Sequence, residues 1–209
     1  GMRASWTLAK RGHAVTLFEA SPILGGQVRW WAQADSRREL LGIVTWLEDR
    51  IAEENIQLVL NHRAAEDDLN GFDEIVIATG STGLKHGWTM LHPQKWNGDT
   101  IPGANHSHVY SYTEFLDHRP NLNGQVLLFD IMGGRQGAVI AEILARQGAS
   151  VHFTTQLGQA SPDLASSRDW GKVHGMLKKL GVVFHVDCEL IEIGKDHVEI
   201  QDLYTKQSV

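Results

Sequence analysis

The chain has 209 residues, 42% of them hydrophobic, with 19 basic and 25 acidic side chains and a formal net charge of −6. That length suits one large domain or two small ones around a sizeable core, and the composition argues against disorder. The charge balance disfavours nucleic acid, no window approaches ~18 uninterrupted apolar residues, and the N-terminus lacks the apolar core of a secretion signal. A cytoplasmic protein that binds neither nucleic acid nor membrane is the expectation. Cys188 is the single cysteine. It excludes an internal disulfide, a cysteine-rich zinc site and a four-cysteine iron–sulfur cluster within this chain. Glycine is in excess, at 21 residues, about one in ten against a usual ~7%.

Taken in chain order, Met2 to Arg11 reads as a helix with Met2, Trp6 and Ala9 on one face, stopped by Gly12. Ala14 to Glu19 reads as a buried strand ending in an acid. Ser21-Pro22 and Gly25-Gly26 make a loop. A second helix is expected from Arg37 to Glu54, with Leu40, Val44, Leu47 and Ile51 inward. Ile56 to Leu60 is a strand, and Glu74 to Gly80 a buried strand stopped by glycine. From His86 to Asn123 periodicity is poor, and three of the five prolines fall there. Irregular connections with a short strand and a one-turn helix around Tyr112 to Asp117 are expected, and a domain crossing is the better account of such a stretch. Gln125 to Asp130 is then a strand, Gly133-Gly134 a turn, Ala138 to Gln147 a helix ended by Gly148, and Ser150 to Thr155 a strand. A helix carrying Trp170, Val173, Leu177 and Leu180 follows. Val182 to Val186, Glu189 to Ile193 and His197 to Leu203 close the chain as β runs.

This alternation means α/β architecture with parallel sheets. The halves echo one another: Leu8-Ala9-Lys10-Arg11-Gly12-His13-Ala14-Val15 matches Leu144-Ala145-Arg146-Gln147-Gly148-Ala149-Ser150-Val151. Two copies of one nucleotide-binding design are expected. The boundaries are a first, ADP- or FAD-binding-like domain over residues 1–85, a crossing over 86–123, and an NAD(P)-binding-like domain over 124–209.

In a dinucleotide-binding βαβ unit, glycines let the backbone approach the pyrophosphate at a helix N-terminus, and an acid ending the second strand bonds the ribose. Glu19 stands where that acid should. Gly1 is in the place of the motif's last glycine, although Gly1-Met2 equally reads as an expression-tag scar. Alone, this half-motif is no more than a surface Glu after a strand.

Glu19 to Gln27, with Gly25-Gly26-Gln27 at its end, resembles the acid-then-Gly-Gly segment of two-dinucleotide-binding-domain flavoproteins. Ile75-Val76-Ile77-Ala78-Thr79-Gly80-Ser81 resembles their second signature, and Ile101-Pro102-Gly103 follows at the usual place. The chain is most similar to the C-terminal part of flavoproteins that fuse an old yellow enzyme-like barrel to such a module, the 2,4-dienoyl-CoA reductase, trimethylamine dehydrogenase and histamine dehydrogenase type. The resemblance implies two Rossmann-like domains in a glutathione reductase-like arrangement, both incomplete or the first truncated. It implies that Glu19 anchors adenosine ribose, that Gly25, Gly26 and Gln27 lie along FAD or ADP, and that Thr79 and Gly80 bring backbone near the cofactor. Asp130 to Gly137 resembles the second glycine loop, with Gly133, Gly134 and Gly137 shaping it. There Met132 replaces the first glycine of G-x-G-x-x-G and should crowd the tight turn. Thr154 and Thr155 stand where an acid would end the next strand, so NAD, NADP and an empty site all stay open.

In that family an FMN barrel and a cysteine-ligated 4Fe–4S cluster perform the substrate chemistry. With neither here, the expectation is a fragment of a flavin-dependent oxidoreductase, not catalytic alone, whose partners are a nucleotide cofactor, a flavin barrel domain or subunit, and other copies of itself. The intact enzyme would reduce enoyl groups or oxidise amines. The alternative is a non-catalytic module holding ADP or nothing and serving subunit contact. No catalytic residue is assigned. His86, His92, His106 and His108 read as loop histidines rather than metal ligands, since no H-E-x-x-H frames them. Cys188 reads as a buried inert thiol. Trp30-Trp31 is a candidate patch for a barrel or subunit. Asn105-His106-Ser107 matches a glycosylation sequon without a secretory context. No G-x-S-x-G elbow and no C-x-x-C appear, which disfavours an α/β-hydrolase and a thioredoxin reductase-like enzyme.

Overall fold

A computed structural model describes residues 1–85, 87–89, 91–93 and 101–209. The chain divides into two compact units, residues 1–81 and 82–209.

In the first unit, helix α1 (Met2–Lys10) leads to strand β1 (Thr16–Phe18), short helix α2 (Gln27–Trp31), a 3₁₀ turn at Asp35–Leu40, helix α3 (Leu41–Glu53) and strand β2 (Gln57–Val59). β1 and β2 pair in parallel, Thr16 opposite Gln57 and Phe18 opposite Val59. The Glu19 N–H extends the ladder to the Val59 carbonyl at 2.9 Å. A parallel pair needs a long crossover, and α2 and α3 provide it. Val44, Leu47 and Ile51 fall at helical spacing on α3 and are buried. The α1 face is shifted from the expected one. Ser5 is its buried residue, while Met2, Trp6 and Ala9 are half-buried. The small side chain of Ser5 lets α1 lie close, and its Oγ donates back to the Gly1 carbonyl at 3.2 Å. Trp6 instead lies edge-on to Trp46 of α3, ring centroids 5.0 Å apart, with the Arg3 guanidinium 4.4 Å above it.

Residues 74–80 depart from expectation. They take no regular secondary structure and join no ladder among the described residues, and Ile75, Val76 and Ile77 are 50%, 59% and 82% exposed. An apolar β-branched run has strand propensity, but burial also requires strands alongside and a layer above. Here β1 pairs with β2 alone.

The second unit carries helix α4 (Tyr112–His118), strand β3 (Gln125–Phe129), helix α5 (Arg135–Arg146), strand β4 (Ser150–Thr154), helix α6 (Trp170–Lys179) and strands β5 (Val183–His185), β6 (Cys188–Ile193) and β7 (Val198–Asp202). A 3₁₀ turn at Pro162–Ala165 precedes α6. β3, β4 and β5 form a parallel sheet in that order, and β6 and β7 an antiparallel pair. Alternation sends Phe153 toward α5, where the buried Val139, Ile140 and Ile143 lie. The opposite face sends Leu127 and Phe129 against a cluster of Ile101, Ala104, Leu190, Ile193 and Ile200. α4 starts with a reciprocal cap: Glu114 N donates to Ser111 Oγ at 3.2 Å, and Ser111 N donates to Glu114 Oε2 at 2.7 Å. The described part of the expected short strand is a single bridge, Thr89 to His92; His86 and residues 94–100 lie outside the described residues.

The internal repeat appears as two identical turns. Gly12 and Gly148 take φ of +90° and +95°. Gly12 N and Gly148 N donate to the carbonyls of Ala9 and Ala145, and His13 N and Ala149 N to those of Leu8 and Leu144. Only glycine adopts this backbone without strain, so the repeat was readable in the letters.

Candidate functional site

In the first unit the candidate residues gather where β1 ends. Glu19 is half-buried, and its Oε1 accepts from Ser21 N at 2.9 Å and Ser21 Oγ at 3.0 Å. Its Oε2 has no partner among the described residues, which leaves one acceptor for a ligand. The Gly25-Gly26 turn needs its glycines: φ is +111° and +45°. A Cβ on Gly25 would press on Val44 at 2.9 Å, whereas one on Gly26 would meet nothing within 4 Å, so Gly26 is exposed beside open space. The loop is fastened from beneath by Arg29, which donates to the Leu24 carbonyl and pairs with Glu48 at 2.6 Å. Gln27 joins the two motif segments: its Nε2 donates to the Ser81 carbonyl at 3.1 Å and Ser81 Oγ at 3.2 Å. Thr79 and Gly80, the latter at φ +75°, stand exposed just before that contact. Gly1 opens α1, and a Cβ there would lie 3.3 Å from Leu17 Cδ1. Trp30 and Trp31 are half-buried. These donors and acceptors fit a ribose diol and a backbone approach to a nucleotide.

The second glycine loop is built differently. Gly133, not residue 132, takes the positive φ, at +68°. Met132 therefore crowds nothing: its side chain is 73% exposed, which corrects the expected clash. Asp130, the residue after β3, turns its carboxylate into the loop, with Oδ1 accepting from Met132 N at 3.0 Å and Gly133 N at 3.4 Å. Its Oδ2 is buried without a partner. Burial pushes this carboxyl above the ordinary aspartate range, against the two backbone donors that pull it down, and Asp163 adds to the rise. Gly133, Gly134 and Gly137 are all buried. A Cβ on Gly137 would come within 2.7 Å of both Asp130 Oδ2 and Phe153 Cζ. Thr154 and Thr155 are fully buried, and Thr155 Oγ1 accepts from Leu157 N at 3.2 Å. This set does not fit a dinucleotide. Sequence reading missed Asp130, although an Asp two and three residues before free N–H groups is a local turn signal. It missed Ser21, a local partner two residues from Glu19, and Ser81, which the long-range contact with Gln27 places.

The remaining candidates resolve locally. His92 Nε2 lies 2.7 Å from Glu189 Oε2, and Lys206 Nζ 3.2 Å from Oε1 of the same buried carboxylate. Burial would raise Glu189, but these hydrogen bonds and charges together hold it below the ordinary range. His106 and His108 lie beside each other, ring centroids 5.3 Å apart and planes tilted by 45°, and no group of three metal-ligating side chains occurs among the described residues. Cys188 is buried, its Sγ donating to the Val186 carbonyl at 3.2 Å. Burial, then Asp202 and Asp187, push its thiol up, away from reactivity. No helix among the described residues is long and apolar enough to cross a membrane.

No protein-family profile matches the chain. It is 33% identical to the multifunctional alkene reductase/demethylase of Caballeronia cordobensis, over 100% of this chain and 30% of that protein. It is 32% identical to the N,N-dimethylglycine/sarcosine dehydrogenase of Chromohalobacter salexigens, over 74% of this chain and 22% of that one. The solved histamine dehydrogenase from Rhizobium sp. 4-9 superposes with a TM-score of 0.88 at 25% identity, over 100% of this chain and 32% of its own. The relatives are old yellow enzyme-like and histamine dehydrogenase-type flavoenzymes, reductases and dehydrogenases among them, and the chain spans about a third of their length or less.

Proposed function

We propose that the chain is the nucleotide-binding portion of a flavin-dependent reductase or dehydrogenase, and that its first unit holds the ADP moiety of FAD. The observation that carries this is the Gln27–Ser81 contact, which brings the Gly25-Gly26 loop and the Thr79-Gly80 segment together. In this reading Glu19 Oε2 accepts from the ribose hydroxyls. The open side of Gly26 lets backbone approach the phosphates, and Gly80 brings backbone close on the other side. Gly1 serves the close helix–strand packing that a motif's last glycine provides. FAD, when bound, supplies the electron transfer itself. The protein residues orient it. The whole protein would pass reducing equivalents between a nicotinamide or electron-transfer partner and an enoyl or amine substrate. FMN and a 4Fe–4S cluster would sit in a barrel domain or subunit, and the two units would be Rossmann-like copies.

Calorimetric titration of the chain with ADP and FAD tests the reading. Saturable uptake is expected, weakened about tenfold or more by Glu19→Gln, because hydrogen bonds to a charged group contribute ~1.5–3 kcal/mol. No uptake, or uptake indifferent to Glu19→Gln, overturns it. Uptake of ADP but not FAD favours the second reading, a non-redox module for subunit contact, which the closed second loop also supports.

A further inference from the structure

The crevice outside the carboxyl ends of parallel strands is where an α/β unit takes its ligand. In the second unit that place is the mouth between the Gly133 loop and the connection from β4 to α6. The connection fills it. Leu157 and Pro162 close over Gly133, so that a Cβ there would lie 2.6 Å from Leu157 Cδ1 and 3.0 Å from Pro162. Asp163 N donates to the Gly133 carbonyl at 3.2 Å, stitching connection to loop. Behind them Ala160, Ser161 and Leu164 are buried at 2%, 1% and 0% exposure, which is interior rather than loop packing. Arg135, the first residue of α5, reaches Asp169 at 2.8 Å and ties the starts of α5 and α6. From within, Asp130 Oδ1 takes the Met132 and Gly133 N–H groups. Its charge stands beside the position of an incoming pyrophosphate.

We infer that the second unit is a self-filled copy of the nucleotide-binding design, its crevice plugged by residues 157–164 and the Met132 and Gly133 N–H groups of its loop taken by the Asp130 carboxylate. Asp130, Leu157 and Pro162 are thus the residues that determine refusal of a nicotinamide dinucleotide. This rests on reading the unit as such a copy. It assigns one nucleotide per chain, in the first unit.

The test titrates the chain with NADPH and NADH while amide exchange is followed. The wild-type chain should show no saturable uptake into the millimolar range, and neither nucleotide should alter exchange in residues 131–137 or 157–164. Asp130→Asn/Leu157→Gly/Pro162→Gly should gain at least tenfold in NADPH affinity. If that variant loses the exchange protection of β4, Asp130→Asn/Leu157→Ala/Pro162→Ala, which only trims side chains and removes the charge, is read for the same gain. Wild-type uptake that protects residues 131–137 overturns the inference, and so does a folded variant that binds no better than wild type. ADP titration of the first unit is read separately, through its Glu19→Gln sensitivity. Its failure therefore sinks the proposed function without touching this result.

Discussion

A carboxylate taken out of water must be compensated, and Asp130 and Glu189, both buried in the second unit, are compensated to different degrees. Asp130 keeps its proton to higher pH folded than unfolded. Its contribution to stability therefore falls as pH rises from the ordinary carboxylate value through the folded one. Glu189 runs the other way. Held below the ordinary range by His92 and Lys206, it contributes stability above the unfolded value, lost as pH falls through the folded one. Thermal melts across pH should show opposite signs: Asp130→Asn raises the midpoint at pH 7, Glu189→Gln lowers stability by about 1–3 kcal/mol, and both differences shrink toward acid pH. A Glu189→Gln variant as stable as wild type at pH 7 would contradict the arrangement. Gly137→Ala should cost about 1–3 kcal/mol in denaturant unfolding, because the methyl group would force the Asp130 carboxylate and the Phe153 ring to move.

At the scale of elements, what was legible in the sequence is what local backbone chemistry decides. The twin turns at Gly12 and Gly148 require positive φ, and Val44, Leu47 and Ile51 repeat at helical spacing, so both were readable in advance. The Asp130 side of the second loop carries a local turn signal as well, because its carboxylate stands two and three residues before the N–H groups it accepts from. The strand over 74–80 was not legible, because Ile-Val-Ile carries the same letters whether or not neighbouring strands cover it. Its exposure changes the expected mutational response. Ile77→Lys should leave unfolding free energy within about 0.5 kcal/mol and reduce self-association measured by light scattering, since exposed apolar side chains of high strand propensity invite association. A loss of several kcal/mol would mean that the segment is buried after all. Phe153→Ala, at a fully buried position of β4, should cost about 3–5 kcal/mol.

For the whole molecule, the two units differ in how much they bury. The first rests on a two-stranded parallel sheet and the helix face of Val44, Leu47 and Ile51, and isolated two-stranded pairs are marginal in water. The second has a three-stranded sheet covered on both faces. Hydrogen exchange should accordingly be slowest in β3, β4 and α5 and markedly faster in β1 and β2. Limited proteolysis should cut first within residues 73–85 and release a protected fragment beginning near Thr82. Equal protection of both sheets would contradict this.

The edge-on pair of Trp6 and Trp46, at 75° between ring planes, has an optical consequence. Two indoles at that separation couple their strong electronic transitions and give a paired band in far-ultraviolet circular dichroism, which vanishes once α1 leaves α3. In the second unit Trp170 stacks on His174 at 4.2 Å instead, an indole–imidazole contact without that coupling. The coupled band therefore belongs to the first unit, and a melt followed by dichroism times the parting of α1 from α3 without a label.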